Sequence, residues 1–386
     1  MTTISRDEAL GALRALAESN ASAFDELLSK VKEGADQLQQ SDFPLAFEQL
    51  ACAVESEAAQ RCLNQLWETI FAVLLAATAH HACGHATGLG KRAVQHYLAT
   101  NAPRAILRKA YTALAVGHVE GNEPLEAISA LLEQQRLAQE VGDTLGEVGA
   151  SINIGAALMQ LGMYAETIAI SNDLLARLGD QLVETESTPY RSTLYVNIAQ
   201  SELARQRCPE ALRAARQALD IFPQPKTVEG RTRLLQRLGV VARALAGCGR
   251  HAEAMDVLQE ARRHEATSLR AAQGLLETEA TLLAFAAKPA EAILLLRRGL
   301  DQFRDGGRTT ELRIHLARFL ELAGRFDEAR ALYGQLASQT RAHKLQRTLD
   351  DLHASAPAVV PSTAHAAFGD LRAQVEARAA ILSHFE

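Results

Sequence analysis

The sequence predicts an all-α fold in which antiparallel helix pairs stack as an array, and three observations predict it. Hydrophobic residues make up 48% of the 386-residue chain while aromatics make up only 5%, so the core must come mainly from Ala, Leu, Ile and Val, which suits closely packed helices. Apolar residues recur at helical spacing, as at Leu269, Ala272, Leu276, Ala280 and Leu283, and no Asn-Gly or Asp-Gly turn joins alternating β-branched runs. One short pattern returns six times along the chain, which is the mark of a repeat architecture.

Taken in order, residues 1–101 read as a divergent helical cap, with helical stretches at 5–18, 21–39, 43–60 and 63–83. Residues 87–99 fit the second helix of a degenerate seventh repeat, because Ala93 stands 34 positions before Ala127. A helix stop is expected at Gly84, followed by a new start. The cap also carries the whole charge excess. Residues 1–63 hold eleven acidic and five basic side chains, and the rest of the chain holds 35 of each.

Residues 102–340 hold the array. The pattern reads Pro124-Leu-Glu-Ala127, Tyr164-Ala-Glu-Thr167, Pro209-Glu-Ala211, His251-Ala-Glu-Ala254, Pro289-Ala-Glu-Ala292 and Phe326-Asp-Glu-Ala329. The last residues of these segments lie 40, 44, 43, 38 and 37 positions apart. Pro124, Pro209 and Pro289 fit the first turn of a helix, where a missing N–H is harmless. Gly121, Gly162, Gly249 and Gly324 stand near the preceding turns. Small anchors let neighbouring helices approach to about 8–10 Å. One pair cannot bury its face alone, so successive pairs stack.

These segments resemble the tetratricopeptide repeat (TPR), in its long-period form found in bacterial signalling proteins. The match is best at Asn153-Ile154-Gly155 with Gly162, Tyr164 and Ile168. It returns at Asn197-Ile198-Ala199 with Ala211, Ala218 and Pro223, and at Leu316-Ala317 with Gly324, Phe326, Ala329 and Tyr333. Thr167 and Gly299 depart from the usual Ala, and the period exceeds the usual 34. The resemblance implies a right-handed TPR α-solenoid of six to seven helix pairs. It also implies a concave groove lined by the first helix of each pair. Lys109, Asn153, Ala156, Asn197, Gln200, Arg243, Arg318 and Glu321 would line that groove. Asn153 and Asn197 match a position that bonds a bound peptide backbone in related repeats. The Lys/Asn set that clamps a C-terminal carboxylate in chaperone-binding repeats is not matched across neighbouring repeats. The implied function is a non-catalytic module that holds a protein or peptide partner in bacterial signalling or regulation. The alternative is the sensory, dimerising input region of a larger enzyme such as a diguanylate cyclase.

Residues 341–386 change character. Pro357 and Pro361 mark a linker over 354–364, and a last helix follows. Phe368, Leu371, Val375, Ala379, Leu382 and Phe385 share one helical face, while Arg378 interrupts a strict heptad. This face reads either as an amphipathic helix that caps the array or as a dimerising helix that leads to an output domain.

The remaining motifs exclude chemistry more than they supply it. Gly84-His-Ala-Thr-Gly88-Leu-Gly90-Lys91-Arg92 has five residues between its outer glycines and Arg92 where a phosphate loop needs a hydroxyl. His80, His81, Cys83 and His85 crowd together without recognisable further ligands, and they read as polar residues at a helix end. No nucleophile elbow, HExxH motif or paired carboxylates occur, so no enzyme activity, metal or cofactor is expected. A net charge of −6 with no basic run argues against nucleic acid or an anionic membrane as partner. Five widely spaced cysteines, no leader-like start and no apolar run near twenty residues predict a cytoplasmic protein.

Overall fold

The computed structural model describes residues 4–18, 23–121, 123–181, 184–222, 225, 228–264, 268–303 and 309–339. Among them are seventeen α-helices and no strand. The expected linker and the face Phe368, Leu371, Val375, Ala379, Leu382 and Phe385 lie outside the described residues. No described helix is long and apolar enough to cross a membrane. The chain forms two compact units that divide between Ala150 and Ser151.

The first unit holds α1 (Arg6–Glu18), α2 (Phe24–Gly34), α3 (Phe43–Val54), α4 (Leu63–Ala79), α5 (Ala86–Ala99), α6 (Arg104–Glu120), α7 (Pro124–Glu140) and the start of α8 (Thr144–Gln160). Helix α1 packs on α2 and α3, α2 on α4, α3 on α5, and α4 on α6. Two alternating layers of helices result. Phe24, Phe43, Phe47, Trp67 and Tyr97 lie here in one buried cluster. Trp67 Nε1 donates to Tyr97 Oη at 3.2 Å, so α4 and α5 meet through large rings and not through paired alanines.

Three boundaries differ from the sequence expectation. The second stretch, expected over 21–39, is helical from Phe24 to Gly34 and then tightens into a 3-10 turn at Ala35–Gln37. The third ends at Val54, because Ser56 Oγ donates to Ala53 O at 2.8 Å and accepts from the Ala59 N–H at 3.2 Å. Helix α4 ends at Ala79 and not at Gly84. His81 takes the left-handed conformation that breaks the helix, with φ 54°.

A buried carboxylate fixes the entry to α3. Asp42 is 5% exposed, and its Oδ2 accepts from the Gln39 N–H at 2.8 Å and from Arg6 Nε at 2.7 Å. The Arg6 hydrogen bond is the largest influence holding the Asp42 carboxyl below its ordinary value. A depressed acid favours the fold above its unfolded-state pKa, and that contribution is lost as pH falls through the folded value. Asp42→Asn is expected to cost about 1–2 kcal/mol at pH 7, and the difference is expected to shrink as the medium is acidified, as read by urea melts over a falling pH series.

The second unit holds the rest of α8, then α9 (Tyr164–Gln181), α10 (Glu184–Ala204), α11 (Cys208–Asp220), α12 (Val228–Gly247), α13 (His251–Arg263), α14 (Leu269–Phe285), α15 (Pro289–Gln302), α16 (Thr309–Leu322) and α17 (Phe326–Gln339). Each consecutive pair from α9 to α17 packs together. In addition α10 packs on α12, α12 on α14, and α14 on α16. The first helices of successive hairpins therefore form a layer of their own.

The residues that mark the repeat in sequence are the packing anchors in space. Ala127, Thr167, Ala211, Ala254, Ala292 and Ala329 are all buried, each in the second helix of its hairpin. Pro124, Pro209 and Pro289 occupy first turns as expected. Both departures from Ala have local causes. The Thr167 hydroxyl donates to Met163 O at 3.0 Å and lies 3.1 Å from Gly155 O, so it ties α9 to α8. A Cβ at Gly299 would stand 2.7 Å from Leu276 Cδ1, so the larger α14 side chain takes the space. The turns before α9, α13 and α17 use a left-handed glycine at Gly162, Gly249 and Gly324. Gly121 does not, with φ −74°. Gln206 and Ala287 hold the left-handed position in the two turns that lack a glycine.

Candidate functional site

The first-helix layer of the second unit carries a row of polar side chains. The repeat explains their alignment. Stepping on from Asn153 by 44, 43, 38 and 37 residues reaches Asn197, Val240, Thr278 and His315. The same steps from Ala156 reach Gln200, Arg243, Thr281 and Arg318. Close approach of these helices depends on small residues. A Cβ at Gly239 in α12 would lie 2.9 Å from Thr278 Oγ1 in α14.

The residues expected in the groove fall into three groups. Asn153 and Gln200 are half-buried and make no hydrogen bond among the described residues. Asn197 is 5% exposed, and its Nδ2 donates to Ile152 O at 3.3 Å across α8 and α10. Its amide therefore serves the packing of the two helices. Glu321, at the end of α16, accepts from Tyr333 Oη of α17 at 3.3 Å and so leans towards its own hairpin partner. Lys109 belongs to the first unit, where its Nζ donates to Asn64 Oδ1 at 3.2 Å. Ala156 is half-buried in α8.

The charges of Arg243 and Arg318 both bear on His315, a residue that the sequence did not single out. Burial, and then the charges of Arg318 and Arg243, push the His315 imidazole down to about 3, so the ring is neutral at any physiological pH. Phe319 packs on it with ring centroids 6.1 Å apart. Arg243 is half-buried, its Nε is shielded from solvent, and that atom has no hydrogen-bond partner. Burial lowers its guanidinium, opposed by the charge of Glu277 on α14. Glu277 Oε1 accepts from Gln273 Nε2 at 2.8 Å. His315 could have been found by carrying the repeat steps on from Asn153. Glu277 had no such signal, since it stands one position before the Thr278 that those steps reach.

The other crowded segment is structural. His80 packs on Phe43 with centroids 5.9 Å apart, and Cys83 Sγ lies 3.3 Å from Thr78 Oγ1. Among the described residues no group of three or more His, Cys, Asp or Glu side chains could hold a metal ion. Gly88 and Gly90 lie within α5 and not in a loop. Arg92, which lines a surface cleft of about 540 Å³ between α3 and α5, is paired with Glu55 at 2.6 Å.

No protein-family model matches the chain, and no curated protein matches it in sequence. Solved structures do. A Rap conjugation gene regulator of the plasmid pLS20, solved with a Phr peptide, matches with a TM-score of 0.56 and 14% identity over 86% of this chain and 97% of that one. Aspartyl phosphate phosphatase F from Bacillus subtilis matches with a TM-score of 0.55 and 11% identity over 88% and 95%. A Rap protein complexed with competence and sporulation factor matches with a TM-score of 0.51 and 11% identity over 88% and 98%. With its buried anchors and layered hairpins, the chain has the tetratricopeptide-type all-α repeat fold of these bacterial regulators.

Proposed function

We propose that this chain is a non-catalytic, cytoplasmic regulatory protein that holds a peptide or short protein segment in a concave groove along α8, α10, α12, α14 and α16. One observation carries the reading. Asn153, Gln200 and Arg243 recur at repeat positions of one helix layer, and Asn153 and Gln200 spend no hydrogen bond inside the fold. A half-buried amide without an internal partner is suited to pairing with the backbone of an extended peptide. Two of the similar structures were solved with a peptide or with competence and sporulation factor bound, which supports the class of ligand. The phosphatase activity named for a third belongs to that protein. The segments 1–101, 102–340 and 341–386 are proposed as cap, array and C-terminal segment.

The test uses affinity selection from a randomised synthetic hexapeptide pool, read by mass spectrometry. Asn153→Ala with Gln200→Ala is expected to lower retention about tenfold, the loss of one to two hydrogen bonds. The melting temperature is expected to stay unchanged, since neither side chain supports the fold. Equal retention by the double variant would count against the groove. Asn197→Ala is unsuitable for this purpose, because it breaks the bond to Ile152 O and lowers stability as well.

A further inference from the structure

Two of the five cysteines, Cys208 and Cys248, lie in the second unit, and both are free and half-buried. Cys208 opens α11, and Cys248 directly follows α12. The two helices pack together, and the start of one meets the end of the other. A Cβ on Gly247, the last residue of α12, would stand 2.7 Å from Cys208 Sγ and 3.4 Å from Cys208 Cβ. The Cys208 side chain therefore rests on the backbone immediately before Cys248, and consecutive Cα atoms are about 3.8 Å apart. Cys248 faces inward as well, packing against the buried cluster that includes Ala211 of α11 and Ala244 of α12. Glycine stands on either side of it, and Gly249 takes the left-handed turn with φ 77°. No neighbouring side chain obstructs an approach of the two sulfurs. Cys208 Sγ meets Gln206 O at a long 3.9 Å, so little is lost when it turns. The three cysteines of the first unit are placed differently. Cys52 Sγ lies 3.8 Å from Arg92 Nη1, Cys62 Sγ donates to Ala58 O at 3.4 Å, and Cys83 is buried beside Thr78.

We propose that Cys208 and Cys248 are a reversible redox pair, which a peroxide converts into a disulfide between successive hairpins. The step balances with hydrogen peroxide as the oxidant. One thiolate attacks a peroxide oxygen, the O–O bond breaks, and a sulfenic acid and one water form. The second sulfur attacks the sulfenic sulfur, the S–S bond forms, and a second water leaves. The pair loses two electrons and two hydrogens, and the peroxide takes them up. Burial, and then Cys208, push the Cys248 thiol above its ordinary value, with Glu210 adding to the rise and Arg250 and Arg216 opposing it. Cys248 thus stays protonated at pH 7 until its partner is oxidised. The bond ties the α10–α11 hairpin to the α12–α13 hairpin, and α10 and α12 carry Gln200 and Arg243. The inference stands on the two thiols and does not depend on the groove reading.

The full chain is treated with a slight excess of hydrogen peroxide, alkylated with iodoacetamide and digested with trypsin in the absence of reductant. Cys208 and Cys248 fall on separate tryptic peptides, 208–213 and 244–250, each with a single cysteine. The two peptides are expected to appear joined, from protein that runs as a monomer on a non-reducing gel, and to part again with dithiothreitol. Oxidised protein is expected to melt about 5–10 °C above reduced protein, because the link closes a loop between positions 40 apart. Cys248→Ser is expected to lose both the joined peptide and the gain in melting temperature. The wild-type peptide map needs no variant, so a substitution that folds poorly leaves the test intact. Both peptides alkylated after peroxide, or either one carried singly to the sulfinic acid, would overturn the pair. A link formed between two chains and not within one would do the same. So would a joined product that melts below reduced protein, since the bond would then strain the fold it is meant to tie.

Discussion

Gly90→Ala and Gly117→Ala are each expected to destabilise the first unit by about 3 kcal/mol, roughly 6–12 °C in melting temperature. The two glycines are reciprocal. A Cβ on Gly90 in α5 would stand 2.5 Å from Leu114 Cα and 2.6 Å from Leu114 N in α6. A Cβ on Gly117 in α6 would stand 2.5 Å from Thr87 Oγ1 and 2.8 Å from Thr87 Cα in α5. These obstacles include backbone atoms, which cannot rotate away as a side-chain tip can, so the helices must separate along their length. Gly88 provides the control. It lies in the same helix with nothing within 4 Å of its would-be Cβ. Gly88→Ala is therefore expected to raise stability by about 0.5–1 kcal/mol through helix propensity alone. Circular-dichroism melts of the three variants decide the matter. If Gly90→Ala melts with wild type, the close α5–α6 crossing is wrong.

That contrast shows what the Gly84–Arg92 segment is for. In sequence it imitates a phosphate loop, and only its spacing argues against one. In the fold Gly88 and Gly90 are helical, and Gly90 exists so that α6 can come close. The spacing rejected the wrong function but could not supply the right one, because the partner helix α6 begins fourteen residues further on.

Legibility followed the same division elsewhere. The anchors from Ala127 to Ala329 were readable because burial of a small residue recurs at every hairpin, and recurrence is visible without a structure. The turns were partly readable. Gly162, Gly249 and Gly324 mark left-handed positions in hairpin turns, but Gln206 and Ala287 do the same work without a glycine to announce it. The groove was readable as a set of positions and not as a set of roles. Asn153 and Asn197 look equivalent in sequence, yet the Asn197 amide bonds Ile152 O across α8 and α10, and no such bond is found for Asn153 among the described residues. The position of His315 was readable from the repeat steps, but the two arginine charges that bear on it come from different helices and were not.

Arg237 is the residue that pattern reading places furthest from where it lies, and it yields the sharpest expected pair of results. A charged residue on a helix normally faces water, yet Arg237 is 2% exposed. Its Nε donates to Ser192 Oγ at 2.6 Å, one Nη to Arg233 O at 2.9 Å and the other to Thr193 Oγ1 at 3.3 Å. Its Cζ sits 4.1 Å from the centre of the Phe222 ring. Among the described residues no carboxylate pairs with it. Burial, aided by the charge of Arg233, pushes the guanidinium down to about 9, so at pH 7 the fold carries a desolvated cation. Removing that cation orphans neither hydroxyl, since Ser192 Oγ still donates to Ala218 O and Thr193 Oγ1 to Pro189 O. Arg237→Met, which keeps most of the volume, is therefore expected to stabilise the second unit by about 1–2 kcal/mol. Arg237→Ala removes the same charge but leaves a cavity, and it is expected to destabilise by about 2–3 kcal/mol. The pH dependence has a definite sign. The unfolded chain holds this proton more firmly than the fold does, so the native protein gains stability as pH climbs past about 9, and the advantage of Met shrinks there. Denaturant melts of both variants at pH 7 and pH 10 read all of this. A Met variant that melts below wild type at pH 7 would show that three hydrogen bonds and one aromatic face outweigh the desolvation of the charge.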